Sequence, residues 1–180
     1  TAEFMEKTGR EKPIVLISEG TRVAPKDKRK NLTEEEVLDG ATSIAKKCSG
    51  LILATSYGRD IDRFKTFYEA AHRSGRELVI SPRIAYLMSR LSGQMETLNV
   101  RDDRGICVYF KRKKSGTYDD KDYYNWERPF LNRLITPDEI RKKQAKYLVH
   151  LSVYDFTEII DIRPSAGSDF IYSMSEPFSE

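Results

Sequence analysis

Four short, uninterrupted apolar runs constrain the fold of this chain more than any other feature: PIVLIS (13–18), LILAT (51–55), ELVIS (77–81) and DFIYSMS (169–175). Runs this short, apolar at consecutive rather than alternating positions, are the pattern of strands buried on both faces, the condition of a parallel sheet covered by helices. Between them the period changes. In TEEEVLDGATSIAKKC, Thr33 and Glu36 form a capping box, and Val37, Leu38, Ala41, Ile44, Ala45 and Cys48 recur at helical spacing. Ile61, Phe64, Tyr68 and Ala71 mark a second helix ending near Gly75, and RIAYLMSRL a third that stops near Gly93.

Further on, GICVYFKRK (105–113) reads as a strand running out of the core into a basic tail. The following SGTYDDKDYYNWERPF has neither period, so residues 112–135 are expected to form an irregular excursion or lid. TPDEIRKKQAKY opens on the capping box of Thr136 and Glu139 with Pro137 at the first helical position; LVHLS (148–152) is a further strand, and a helix around DFTEIID precedes the last one. The alternation predicts an α/β fold, an open and mainly parallel sheet with helices on both faces in a Rossmann-like, three-layer α/β/α arrangement, as a single domain over residues 1–180.

The charge of +3 is a balance of 31 basic against 28 acidic residues, so attraction to a polyanion has to come from local clustering. No window approaches the roughly 18 apolar residues of a membrane span, and TAEFMEKTGREK has no signal core, so a soluble, cytoplasmic protein is expected. Cys48 and Cys107 sit far apart in apolar contexts, which fits reduced core residues rather than a disulfide framework.

In open parallel sheets ligands gather at the carboxyl ends of the strands. Four such ends carry a serine and then polar or flexible residues: ISEGTR (17–22), TSYGRD (55–60), ISPR (80–83) and SMSEP (173–177). Ser18, Ser56, Ser81 and Ser173 are thereby directed toward one crevice, joined by Arg59 and Arg63, read as four apart on one helix face, and by Arg83. This constellation admits two readings: phosphate contact, or helix caps and solvated charges balanced by Asp60 and Asp62. The run KRKK (111–114) with Tyr118, Tyr123, Tyr124 and Trp126 is equally open, either a single-strand binding surface or an edge strand guarded by lysines over core aromatics. Two histidines, His72 and His150, are too few for a histidine-rich metal site, and G-x-S-x-G, G-x-G-x-x-G and the P-loop pattern are absent.

Taken together, VLISEGTR (15–22), LTEEEV (32–37), LILATSYGRDIDRFKTFYEAAHRSGRELVIS (51–81) and GSDFIYSMSEPFSE (167–180) resemble the β-CASP-containing metallo-β-lactamase nucleases, close to ribonuclease J and its archaeal relatives. The spacing agrees through about residue 90, and residues 95–147 lie outside the resemblance. It implies that residues 1–22 are the last strand of a preceding metallo-β-lactamase half, and that the remainder is a β-CASP domain that binds and aligns single-stranded RNA. It further implies phosphate and backbone contact by Ser56, Arg59, Arg63, Ser81, Arg83, Ser173, Ser175 and Glu176. Glu19 stands where the family has a metal-bridging aspartate, one methylene shorter; it would ligate only together with the missing half. The family's H-x-H-x-D-H motif is not in these 180 residues, so zinc is expected in a full-length parent and none for this segment alone. The metallo-β-lactamase domain of the parent is the expected intramolecular partner, no membrane is involved, and a homodimer through the surface left by the missing half is an open outcome. Two other functions stay beside this one: a non-catalytic interaction or scaffold domain, and a small-molecule nucleotide-binding α/β domain.

Overall fold

The computed structural model describes residues 2–15, 32–92 and 99–174. The chain divides into two compact units, Thr1–Asn31 and Leu32–Glu180. The first carries helix α1 (Ala2–Arg10), whose surface holds the i,i+4 ion pairs Lys7–Glu3 (2.7 Å) and Arg10–Glu6. Of PIVLIS only residues 13–15 are described; they lie outside any strand with Ile14 and Val15 exposed, and the rest of the expected first strand falls outside the described residues.

The second unit is an α/β sandwich. Its order is α2 (Glu34–Lys47), β1 (Ile52–Thr55), α3 (Ile61–Arg73), β2 (Glu77–Ile80), α4 (Pro82–Leu91), β3 (Ile106–Tyr109), β4 (Leu134–Ile135), α5 (Pro137–Lys142), β5 (Tyr147–His150), α6 (Ile159–Ile162) and β6 (Asp169–Tyr172). The helices begin where short polar side chains can satisfy free N–H groups: Thr33 and Thr136 form reciprocal capping boxes with Glu36 and Glu139, and Asp60 and Ser81 cap α3 and α4. α3 runs out two residues before Gly75, whose φ of 71° lets the chain turn back into β2 at no steric cost.

The six strands lie in the order β4-β3-β2-β5-β1-β6, and every pair is parallel. From β1 to β4 the chain steps across the sheet in one direction; from β4 it returns to insert β5 between β2 and β1, then ends at the opposite edge. The reversal splits the connections between the two faces. Ile52, Ala54, Leu78, Ile80, Ile106, Val108 and Leu148 pack against α2, α3 and α4, whereas Leu53, Val79, Tyr109, Tyr147 and Val149 pack against Ile140 of α5 and Ile162 of α6. Alternate residues of one apolar run thus feed two separate cores, which is why the runs show no alternation.

Several expectations shift. The buried stripe of α2 is Ala41, Thr42 and Ala45 followed by Cys48, while Ile44 is 39% exposed, because α2 turns small residues toward α3. The final run does not build an interior strand: β6 is an edge, and Phe170 and Tyr172 are exposed because no strand covers its outer side. The excursion after β3 is irregular but not a lid over the domain. It takes the place of a crossover helix, with 3-10 segments Asp120–Asp122 and Arg128–Arg133, sinks Phe110, Tyr123 and Phe130 into the core beside α4, and ends in β4 itself.

One buried cation organises the amino ends of the strands. The Arg76 guanidinium donates to the carbonyls of Ala45 (3.2 Å), Cys48 (2.5 Å), Gly50 (2.9 Å) and Tyr147 (3.3 Å), tying the end of α2 to the starts of β1 and β5. Its charge is opposed by carbonyl dipoles, including those at a helix C-terminus, where a cation is favoured.

Candidate functional site

The direction reversal opens the sheet's carboxyl end around β5, because the chain leaves β5 on one face and leaves its neighbours β1 and β2 on the other. Ser56 follows β1, Ser81 follows β2, Ser173 follows β6, and Ser152 lies two residues beyond β5. The topology therefore brings Ser56, Ser81 and Ser173 of the four expected serines to the carboxyl end of the sheet, and Ser18 lies outside the described residues. Their hydroxyls are not equivalent.

Ser56 is buried, 5% exposed, and its Oγ lies 2.8 Å from Nε2 of His150, the last residue of β5. His150 is likewise 5% exposed, with its ring against Phe67 at 5.9 Å between centroids. Burial pushes the imidazole pKa down to about 4, against a smaller opposing pull from Asp155, so the ring is neutral at pH 7. Nδ1 has no hydrogen-bond partner among the described residues. The pair is not a hydrolase dyad in form. A nucleophile elbow places its serine in a strained turn, whereas Ser56 has negative φ and lies five residues before α3 begins.

Ser81 caps α4, accepting from the Ile84 N–H at 3.4 Å, and Ser152 accepts from the Tyr154 N–H at 3.3 Å. Ser173 donates its backbone N–H to the Thr55 carbonyl (3.0 Å) and receives the Arg63 guanidinium on its hydroxyl. Arg63 also donates to both carboxylate oxygens of Glu34, at 3.1 and 2.7 Å, and that hydrogen bonding holds the Glu34 carboxyl below its usual range. Arg63 is therefore a strut joining α3, α2 and the end of β6, with most of its donors already engaged.

Arg59 and Arg83 differ from it. Arg59 is not on α3 at all, since Asp60 caps that helix by accepting from the Arg63 N–H at 3.0 Å, so the four-residue spacing does not place the two arginines on one helix face. Arg59 is exposed in the turn between Ser56 and α3, and Arg83 is exposed on the first turn of α4. Neither has an ion-pair or hydrogen-bond partner among the described residues. They are the two predicted cations whose donors remain available at this end of the sheet. Ser175, Glu176 and Glu19 lie outside the described residues.

Three of the four cations of the basic run 111–114 make structural contacts, and Lys114 is exposed. Lys111 pairs with Asp155 (2.8 Å) and Glu158 (3.1 Å), Arg112 lies over the Tyr118 ring at 5.8 Å, and Lys113 pairs with the buried Glu127 (2.8 Å) while resting on the rings of Tyr123 and Tyr124. Tyr123 is core, whereas Tyr124 is exposed.

Reading the serines alone missed His150 and Ser152. LVHLS ends in the same way as LILATS and ELVIS, and that shared ending was the available signal. Among the described residues no three His, Cys, Asp or Glu side chains gather as metal donors, and His150 is held by Ser56 inside the sheet. The zinc that the resemblance implies finds no ligand set among the described residues.

The fold and the strand-end arrangement define an open, all-parallel α/β domain with a switch point at β5. Comparison with models of protein families, with characterised proteins and with solved structures finds no match. No helix of the described residues is long and apolar enough to cross a membrane.

Proposed function

We propose that the second unit binds single-stranded RNA by its phosphates at the carboxyl end of the sheet, as the substrate-aligning β-CASP portion of a larger metal-dependent ribonuclease. The observation that carries this is the pair of exposed, unpartnered arginines, Arg59 and Arg83, flanking the switch point around Ser56 and His150. Phosphate contacts position a strand without reading its sequence, which suits a domain that holds many substrates for a separate centre. The buried Ser56–His150 pair carries no charge at pH 7, so it neither attracts nor repels a phosphate. A cytoplasmic setting belongs to this reading and is supported by the two free thiols, Cys48 and Cys107. By contrast, the groove between α2 and α3, lined by Glu34, Glu35, Asp39 and Glu69 with Lys65 and Arg73, is net acidic and repels a polyanion.

The test is RNA binding by the intact protein as a function of salt. Affinity for mixed-sequence single strands should fall as salt rises, and Arg59→Ala and Arg83→Ala should each lower the log–log slope by about 1. Binding that ignores salt, or slopes unchanged in both variants, would overturn the proposal. A second reading, an interaction domain, is favoured by the open β6 edge, where Phe170 and Tyr172 are exposed. RNA-independent association through that edge would support it.

A further inference from the structure

The exposed residues of α4 are Arg83, Tyr86 and Arg90, spaced so that all three lie along one side of the helix. Arg83 and Arg90 are on the order of 10 Å apart along the axis, and neither has a partner among the described residues. Beside this stripe stand two rings from the excursion. Trp126 meets Tyr86 edge-on at 5.5 Å and lies nearly parallel to Tyr124, 10° between planes at 6.3 Å. Tyr124 is 67% exposed and Tyr86 42%.

The rings are held in place rather than loosely displayed. Lys113 Nζ sits 4.9 Å from the Tyr124 ring centroid and is fixed by Glu127, whose carboxylate also accepts the Tyr124 N–H at 2.8 Å. Lys113 lies four residues beyond β3, so this cluster stands at the carboxyl-end rim, where Arg83 also emerges. Fixed, solvent-facing aromatic rings between two unneutralised guanidinium groups match the chemistry of an unpaired strand, whose bases need π-faces and whose phosphates need cations.

We infer that Tyr86, Tyr124 and Trp126 form a base-stacking platform for single-stranded RNA leaving the strand-end crevice, with Arg83 and Arg90 on its phosphates. The inference rests on the RNA reading above and goes beyond it by assigning where bases, rather than phosphates, are held. Stacking is tolerant of sequence, since every base has a π-face, so the platform adds affinity without restricting substrates.

Trp126 is the only tryptophan and reports on its own site. The intact protein is titrated with an oligouridylate of about ten nucleotides and with an abasic ribose-phosphate strand of equal length. The expected result is quenching of Trp126 by the base-bearing strand only. Tyr124→Ala and, on a separate element, Tyr86→Ala should each weaken oligouridylate binding by about fivefold to a hundredfold, leave abasic binding unchanged, and Tyr124→Phe should restore affinity. Salt-dependent RNA binding with Trp126 unquenched and both alanine variants unimpaired overturns the platform and leaves the phosphate reading standing. Absence of any RNA binding by the wild-type protein overturns both. Concentration-dependent self-association abolished by Tyr124→Ala would make this face a contact between copies of the chain, and would also overturn it.

Discussion

Ser56 Oγ and His150 Nε2 meet at 2.8 Å inside the sheet, joining the carboxyl ends of two adjacent parallel strands. The contact exists because β5 is inserted next to β1 after a long detour through β4, which brings together residues 94 positions apart. It supplies a hydrogen bond to a ring that burial keeps neutral.

The histidine makes stability depend on pH. Its folded pKa, about 4, lies below the unfolded value near 6.5, so the unfolded chain takes up the proton first. Its contribution is fully present above about pH 6.5 and is lost as pH falls toward 4, by roughly 3 kcal/mol in all. Urea unfolding from pH 7 to 4 should show a steeper loss for the wild type than for His150→Asn. Parallel curves would show that His150 is not the group responsible.

Ser56→Ala should cost about 1–3 kcal/mol at pH 7, because it leaves the buried Nε2 of His150 without its hydrogen-bond partner. Equilibrium denaturation checks it. Ser81→Ala, the loss of an N-cap on a partly exposed helix start, should cost about 1 kcal/mol.

Arg63→Ala and Arg59→Ala separate scaffold from ligand contact. Removing Arg63 frees Glu34 and Ser173 and should lower stability by about 1–2 kcal/mol. Removing exposed Arg59 should leave stability within about 0.5 kcal/mol while weakening RNA binding. Paired denaturation and binding curves distinguish the two, and a reversed pattern would exchange their roles.

Arg76→Met should be among the most damaging substitutions. Four carbonyls lose their common donor in a buried site, a loss of at least about 3 kcal/mol. Arg76→Lys, with a single point charge in place of a planar fork, should recover only part of it. Calorimetry of the three proteins gives the order.

Glu127→Ala should loosen the excursion selectively. It removes the carboxylate that fixes both Lys113 and the Tyr124 amide. Amide exchange should rise across residues 113–128 while β1, β2 and β5 stay protected, because their ladders do not involve Glu127. Uniform loss of protection would show that the segment is part of the global folding unit.

Local chemistry made much of this legible. The capping boxes at Thr33 and Thr136, the turn at Gly75 and the apolar runs of β1, β2 and β5 depend on residues close in sequence, so their spacing alone carries the signal. The same reasoning placed Ser56, Ser81, Arg83 and Ser173 at strand ends. It failed at Phe170 and Tyr172, because an apolar run does not say whether a neighbour covers it, and at Arg63, because its partners Glu34 and Ser173 are remote in the chain.

By itself, then, the sequence determined most elements of the second unit, their caps and the parallel α/β class, since these follow from periodicity and side-chain reach over a few residues, but not β4, which lies in the stretch without a period. Only the tertiary structure decided the strand order, and with it every consequence of inserting β5 between β1 and β2. That insertion pairs Ser56 with His150, while the placement of β6 outside β1 leaves it at an edge and brings Ser173 to Arg63. It does so because non-local pairing is settled by which buried faces and unsatisfied polar groups meet, a balance that no short window contains.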